Sequence, residues 1–274
     1  MIELRELQLI ELNMLKEFVQ ICKENDLRYY LFEGTLLGAV RHKGFIPWDD
    51  DIDICMPRSD YNKFLEIGRT AFAAPLSLSH YSFTPGYYYS FARIVNNSIH
   101  VMNHTANIPR EEAIAIDIIP LDGFPDPGIK RLIHKLKITF WWDLNNLAQF
   151  DELVDQKRKR KPLQKILLSV ASAFKWAFRK IDTNKCMHKV NENLAKYDYD
   201  SDSRYVINYL GTWGFHEIIP REYIGEGKEL DFEGEKLMGP ADTDALLTMI
   251  YGDYMKLPPE NERNWHNAEI INKD

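Results

Sequence analysis

Closely spaced carboxylates mark residues 49–53, where four of the five residues are aspartate. Asp51 and Asp53 alternate with Ile52 and Ile54, so a strand through this segment places both acids on one face. Carboxylate oxygens are the ligands that Mg²⁺ prefers, and this ion completes its octahedron with phosphate and water. The spacing therefore predicts metal-assisted chemistry at phosphorus.

A third carboxylate, Asp117, interrupts the apolar run from Ile114 to Ile119. A lone acid in so apolar a strand is rarely buried without a partner or a metal. We therefore expect this strand to lie beside the one that carries the Asp-x-Asp pair, so that the three acids share one site.

The Asp-x-Asp pair alone leaves other kinds of site open. A calcium-binding loop starting at Asp49 would need glycine at its sixth place and glutamate at its twelfth, where this chain has Ile54 and Asp60, so that interpretation is disfavoured. Phosphatases with a nucleophilic aspartate and nucleotide-sugar glycosyltransferases also use Asp-x-Asp. The surrounding elements have to decide between them.

The elements before the aspartates read as helix, strand, glycine turn and helix. Residues 3–25 keep a helical apolar period, residues 29–32 read as a strand, and a short helix follows over 36–40. Gly34 and Thr35 form the predicted turn. Glycine permits close backbone approach and a helix N-terminus favours negative charge, so this turn is a candidate phosphate cradle.

The later elements are predicted more coarsely. Ser59 and Asp60 are expected to cap a helix, and 87–95 and 113–119 read as strands. Beyond Pro127 the pattern turns helical, and from about Pro220 it becomes short strands, turns and a last helix over 242–251.

Composition excludes several classes of protein. With 274 residues, 45% of them hydrophobic, the chain can bury a substantial core, and its net charge of −7 disfavours a general nucleic-acid binder. The first residues carry alternating charges where a signal peptide would be apolar, and no stretch approaches the ~20 apolar residues of a membrane span, so we expect a cytoplasmic protein. The three cysteines show no metal or redox spacing and are expected to be reduced, structural thiols.

Three ordered blocks of sequence resemble the LicD family, also called the fukutin-type family of phosphotransferases. The first block runs from Gly34 through Pro47-Trp48 to Asp53, the second is 116–123, and the third is 251–259 followed by Arg263 and His266. Their order over residues 29–266 is far more specific than any one block.

The resemblance implies an α+β, nucleotidyltransferase-type fold, a mixed sheet flanked by helices with a helical insertion and a C-terminal extension. It implies Asp51, Asp53 and Asp117 as both catalytic residues and ligands of Mg²⁺ (or Mn²⁺), with Asp49 and Asp50 as helpers. Asp117 is equally open to a role as general base, because both roles need a carboxylate near the attacking hydroxyl.

The same resemblance implies phosphocholine transfer from CDP-choline to a sugar hydroxyl of a surface or lipid-linked glycan, such as a teichoic acid or lipopolysaccharide precursor, with release of CMP. Donors carrying another CDP-linked alcohol (ribitol, glycerol or ethanolamine) stay open. So does a nucleotidyltransferase that releases pyrophosphate, and a non-enzymatic glycan- or lipid-binding module is the third class.

Further candidates for substrate binding are two arginines, the last block and an aromatic group. Arg41 and Arg93 have the guanidinium geometry for bidentate phosphate contacts, although surface ion pairs are the common alternative. Arg263 and His266 are expected to close the site over substrate, or else to end a helix. Trp48, with Tyr87-Tyr88-Tyr89, could enclose a quaternary ammonium group, or the tyrosines could be strand core.

Residues 157–180 combine nine basic residues and no acid with a helical apolar face. Such a helix could lie on anionic lipid at the inner face of the cytoplasmic membrane, or pack on the catalytic region with a solvated basic edge; both interpretations stay open. We expect a catalytic core over 1–126, a helical and partly basic insertion over 127–200, and a C-terminal part over 201–274 that completes the site.

Overall fold

A computed structural model describes residues 3–103, 110–150, 169, 172, 176–178, 180–260, 263 and 269–273. The helices in these ranges are α1 (Leu4–Glu24), α2 (Glu33–His42), α3 (Arg58–Ala71), α4 (Ile129–Ala148), α5 (Thr183–Leu194), α6 (Arg221–Ile224) and α7 (Thr243–Tyr251). The strands are β1 (Tyr30–Leu31), β2 (Asp53–Pro57), β3 (Leu76–Ser79), β4 (Ala92–Asn103), β5 (Arg110–Phe124), β6 (Tyr205–Ile207), β7 (Ile218–Pro220), β8 (Lys228–Phe232), β9 (Glu235–Gly239) and β10 (Glu269–Lys273).

The main sheet has the order β1-β2-β5-β4-β10, with β3 paired to β4 and with β6 and β7 continuing from the end of β5. The pairing of β2 with β5 is parallel, whereas the other pairings are antiparallel. Helices flank this mixed sheet, which confirms the predicted α+β class. The strands β8 and β9 form a separate hairpin.

Helix α1 packs its apolar stripe on the sheet, as its period predicts. Phe18 lies at the centre of this contact, with its ring 5.4 Å from that of Tyr29 and 5.2 Å from that of Phe64, both edge-on. The three cysteines are free thiols buried in the core. No helix in the described part of the chain is long and apolar enough to cross a membrane.

Some predicted boundaries are wrong. Helix α2 begins at Glu33, so Gly34 and Thr35 lie in its first turn instead of in a turn before it. Asp51 precedes β2, which begins at Asp53, so only one acid of the Asp-x-Asp pair lies on the strand.

Two further boundaries are also wrong. Residues 87–91 are irregular and the strand starts at Ala92; within this segment the Tyr87 hydroxyl donates to the carbonyl of Phe91 at 2.8 Å. Neither Ser59 nor Asp60 caps α3, which begins at Arg58; the Asp60 carboxylate instead accepts from Arg28 Nε at 2.6 Å.

A buried ion pair ties three elements together behind the sheet. Arg58, at the start of α3, donates from Nε and Nη2 to the two oxygens of Asp122 on β5, each at 2.7 Å. Arg58 Nη1 also donates to Asn191 on α5 at 3.2 Å. Breaking such a pair leaves an uncompensated buried charge, so it fixes the end of β5 relative to α3 and α5.

The later regions of the chain join the same architecture where they are described. Helices α4 and α5 pack against each other, and β6, β7 and β10 extend the sheet built by the N-terminal half. The three predicted regions stay a prediction. Most of the basic segment 157–180 lies outside the described residues.

Candidate active site

Three charged side chains stand in a row across neighbouring strands. Asp53 on β2 pairs in register with Asp117 on β5, and Asp117 pairs in register with Arg93 on β4. Directly paired residues project to the same face of a sheet. The fold therefore brings together two predicted catalytic acids and one predicted phosphate-binding arginine.

Arg93 is held by carboxylates on β5. Its Nε donates to Asp117 Oδ1 at 2.7 Å, and its Nη1 donates to Glu112 Oε2 at 3.1 Å. Charge-assisted hydrogen bonds of this kind fix the orientation of both partners. Arg93 thus holds Asp117 in place, and its predicted contact with the donor phosphates stays a prediction.

Thr35 is hydrogen-bonded to the backbone of Asp53. The Thr35 hydroxyl oxygen accepts a hydrogen bond from the backbone N–H of Asp53 at 2.8 Å, and Thr35 is only 3% exposed. Burial raises the pKa of the Asp53 carboxyl well above its ordinary value, and the negative charges of Asp51, Glu33 and Asp117 raise it further. Thr35 therefore positions Asp53, while its predicted contact with phosphate stays a prediction.

Gly34 makes room for residues 49–52, the aspartate loop that precedes β2. A Cβ at this position would lie 2.7 Å from Asp49 Oδ2, closer than an ordinary van der Waals contact. The absence of a side chain lets the carboxylate of Asp49 approach the first turn of α2. Gln8 on α1 pins the same loop, because its Nε2 donates to the carbonyl of Asp49 at 2.9 Å.

A buried acid on α1 was missed by the sequence analysis. Glu11 is 2% exposed, and its Oε2 has no hydrogen-bond partner among the described residues. Burial raises the pKa of this carboxyl well above its ordinary value, with further contributions from Asp51, Asp50 and Asp49. Glu11 lies four residues from both Leu7 and Leu15, on the apolar stripe of α1. An acid at an apolar position of the helical pattern was the sequence feature that could have predicted it.

A second acidic pair consists of Glu33, at the start of α2, and Glu217, between β6 and β7. Glu33 has a left-handed φ of 41°, a conformation that costs a non-glycine residue about 1–3 kcal/mol. Its Oε1 accepts from Asn208 Nδ2 and from the backbone N–H of Thr212, both at 3.0 Å. Asn208 Nδ2 also donates to the buried Glu217 at 2.7 Å. The sequence does not predict this cluster, because Asn208, Thr212 and Glu217 lie 175–184 residues after Glu33. The segments that contain them have no distinctive local pattern.

The last sequence block approaches the aspartate loop through Trp48. The guanidinium of Arg263 lies 4.6 Å from the ring centroid of Trp48, and its Nε donates to the carbonyl of Pro258 at 3.0 Å. Arg41 Nη1 donates to the carbonyl of Tyr254 at 2.8 Å. The structure thus joins Arg41, Trp48 and Arg263 at one edge of the site, whereas His266 lies outside the described residues.

The three consecutive tyrosines form a wall beside Arg93. The hydroxyls of Tyr88 and Tyr89 both donate to the Glu112 carboxylate, and the Arg93 guanidinium lies 4.5 Å from the Tyr89 ring centroid. The predicted aromatic group is therefore divided, because Trp48 packs with Arg263 and the tyrosines pack with Arg93. Enclosure of a quaternary ammonium group stays a prediction.

The donor chemistry of the site fits a hard divalent cation. Burial raises the pKa of Asp53, and acids from the loop before β2, from α2 and from β5 raise it further by repulsion, which a bound cation would offset. Within the described residues, no group of three His, Cys, Asp or Glu side chains is already arranged to hold a metal ion. The predicted Mg²⁺ (or Mn²⁺) ligands Asp51, Asp53 and Asp117 stay a prediction.

Comparisons with known proteins bear on the whole chain. Residues 26–114 match the family model described as LicD/FKTN/FKRP, nucleotidyltransferase domain. The chain is 30% identical, over 97% of its length and 96% of the relative's, to the lipopolysaccharide cholinephosphotransferase LicD of Haemophilus influenzae. Shorter matches, 43% identical over 54 residues and 45% over 47, link it to uncharacterized proteins of Rickettsia typhi and Rickettsia prowazekii; each covers 18% of that protein and 20% or 17% of this chain.

Proposed function

The chain belongs to the LicD family of phosphotransferases, and we propose that it transfers phosphocholine from CDP-choline to a sugar hydroxyl of a cell-surface glycan, releasing CMP. The acceptor we propose is a precursor of lipopolysaccharide or of teichoic acid. The observation that carries the choice of choline and lipopolysaccharide is the similarity, over nearly the full length of both chains, to a lipopolysaccharide cholinephosphotransferase.

The row of Asp53, Asp117 and Arg93 supports transfer at phosphorus. Two carboxylates on parallel neighbours face the same side, and one of them is oriented by a charged hydrogen bond of 2.7 Å. Asp51, Asp53 and Asp117 would hold Mg²⁺ (or Mn²⁺), which when bound would offset negative charge on the phosphoryl group. This arrangement has an evident use in group transfer, and none in a passive glycan- or lipid-binding module.

In the proposed reaction, the acceptor hydroxyl attacks the choline-bearing phosphorus in line, and CMP leaves with the electrons of the broken P–O bond. A carboxylate at the site accepts the hydroxyl proton; Arg93 fixes the orientation of Asp117, which serves either as this base or as a metal ligand. Thr35 holds Asp53, and Gly34 lets Asp49 reach the same space. The whole reaction is one displacement without a covalent enzyme intermediate.

The test supplies CDP-choline, Mg²⁺ and a glycan acceptor to the full chain and measures CMP. Asp53→Asn is expected to reduce turnover by at least about a hundredfold. The matched control is Asp231→Asn, which makes the same change in an exposed ion pair with Lys236 on the β8–β9 hairpin and should leave turnover unaltered. Turnover should also disappear with EDTA and return with added Mg²⁺. Wild-type turnover that survives complete chelation would remove the metal from the proposal.

Product and donor identity separate the alternatives. Release of CMP from CDP-ribitol, CDP-glycerol or CDP-ethanolamine, but not from CDP-choline, would change the donor while keeping the reaction. The description of the matched family model as a nucleotidyltransferase domain favours a second candidate, attachment of a nucleoside monophosphate to the acceptor. That reaction would consume a nucleoside triphosphate and release pyrophosphate, so incubation with CTP and detection of pyrophosphate identifies it.

A further inference from the structure

Helix α4 presents an apolar face to solvent. Five large hydrophobic side chains on this helix are between 49% and 77% exposed. They follow the spacing i, i+3, i+4, i+7 and i+11, which keeps them on one side of a helix. The outer face of α4 consists of Ile129, Leu132, Ile133, Leu136 and Phe140.

The opposite face of the same helix makes the contacts that hold it to the protein. His134, Ile138 and Asn145 are buried there, and Ile138 is fully covered. Burial lowers the pKa of His134 to about 4, so this side chain is neutral at physiological pH. Because α4 is anchored by its inner side, its outer face is surplus to the fold, and a contiguous exposed apolar patch marks an interaction site.

Positive charge surrounds the outer face. Lys130 and Lys137 are exposed on one side of it, Arg131 and Lys135 are half-buried between its other side and the inner face, and residues 127–142 contain no acid. The whole chain carries a net charge of −7, so this basic flank runs against the overall sign. An apolar stripe between lysines complements an anionic lipid surface, where the stripe enters the acyl boundary and the ammonium groups remain among the headgroups.

We propose that the outer face of α4 docks this protein on an anionic membrane surface. The helix has 20 residues and one face committed to the protein, so it lies along the surface with its axis in the plane of the bilayer. This element precedes the basic segment 157–180 and needs no contribution from it.

The inner side of α4 connects this surface to the acidic site. Lys135 Nζ lies 4.8 Å from the ring centroid of Phe215, and the ring of Trp142 stands edge-on to that of Tyr209 at 5.6 Å. The loop between these two aromatics supplies the backbone N–H of Thr212 that donates to Glu33. The inner side of α4 therefore contacts the segment that holds the Glu33 carboxylate.

The experiment measures binding of the full chain to vesicles of phosphatidylglycerol and phosphatidylcholine in equal parts, and to vesicles of phosphatidylcholine alone. Wild type should bind the anionic vesicles. Leu136→Ser with Phe140→Ser should weaken that binding by at least roughly tenfold. Leu9→Ser, which changes a 43% exposed leucine on α1, is the matched control and should bind as wild type does.

A second variant tests the charge separately and protects the test against a folding defect. Lys130→Gln with Lys137→Gln should weaken binding to anionic vesicles by about twenty-fivefold, because each lysine near such a surface contributes about a fivefold factor. Circular dichroism checks that each variant is folded.

Each remaining outcome overturns the proposal. Wild type that binds neither vesicle, or a folded Leu136→Ser/Phe140→Ser variant that still binds as wild type does, removes the face from membrane contact. Loss of binding only when the basic residues 157–161 become glutamine would assign the contact to that segment. Concentration-dependent dimers of wild type that the serine variant abolishes, without vesicle binding, would assign the face to a second copy of the chain.

Discussion

Replacing Thr35 by valine tests whether this residue positions Asp53 or binds the donor. The two side chains have nearly the same shape, so the change removes only the hydroxyl that accepts from the Asp53 N–H at 2.8 Å. A buried N–H left without a partner costs about 1–3 kcal/mol of stability. For a chain of this size we expect the melting temperature to fall by about 2–10 °C.

The kinetic consequence follows from the displacement of Asp53. A shift of about 1 Å in a catalytic group can cost about a hundredfold in rate, so kcat should fall by roughly tenfold to a hundredfold while KM for the donor changes little. Steady-state CMP release at saturating acceptor gives both constants. Thr35→Ser keeps the hydroxyl and should restore most of kcat, whereas Thr70→Val, an exposed change on α3, should alter neither constant.

Three results would refute this reasoning. Thr35→Val with wild-type kcat and melting temperature would mean that the hydrogen bond to Asp53 has no energetic consequence. A raised KM for the donor at unchanged kcat would instead support the contact between Thr35 and phosphate that the sequence predicts. A Thr35→Ser variant as impaired as Thr35→Val would point to a loss of packing, not of the hydroxyl.

Three other substitutions test two buried polar groups and the close approach of Asp49 to Gly34. The pKa of the Glu217 carboxyl is raised well above its ordinary 4.5, mainly by burial. The folded state therefore loses stability as pH rises above that value. In urea unfolding, the free energy of unfolding of Glu217→Gln should rise relative to that of wild type between about pH 5 and pH 8. Parallel dependences of the two proteins on pH would contradict this. Asp122→Asn leaves the 8% exposed Arg58 unpaired and should cost about 3–5 kcal/mol by the same method, and a cost near that of a surface change would contradict it. Gly34→Ala should displace Asp49 Oδ2 by about 0.7 Å, from 2.7 Å to an ordinary contact of at least 3.4 Å. CMP release should fall, whereas the melting temperature should change little because alanine favours a helix. Full activity of this variant would contradict the reasoning.

The sequence predicted the elements that carry periodic patterns. The apolar stripe of α1 and the isolated acid in the apolar run of β5 were legible, because helix and strand periods are local properties of the chain. The resemblance of three blocks then predicted that Asp53 and Asp117 share a site. Their direct pairing across β2 and β5 is the geometry that this required.

The errors occurred where tertiary contacts override local preference. Gly34 looked like a turn before a helix, yet α2 begins one residue earlier at Glu33, whose carboxylate is held by Asn208 and Thr212 from far along the chain. Two hydrogen bonds to a buried carboxylate can offset the strain of its left-handed backbone. No local pattern around residue 33 reports partners at 208 and 212.

Charge explains why the acids that sequence analysis missed matter to the site. Burial and the nearby aspartates raise the pKa of Glu11, and burial, Asp51 and Glu33 raise that of Asp53, so these acids share a negative potential that opposes the ionisation of each. Arg93 offsets part of that potential, but it is committed to Asp117 and Glu112. A diphosphate donor is itself anionic, and entry into such a field is unfavourable unless positive charge comes with it. The site around Asp53 and Asp117 therefore has more carboxylates than arginines. For this reason we propose that the donor and the divalent cation bind together, each increasing the affinity of the site for the other.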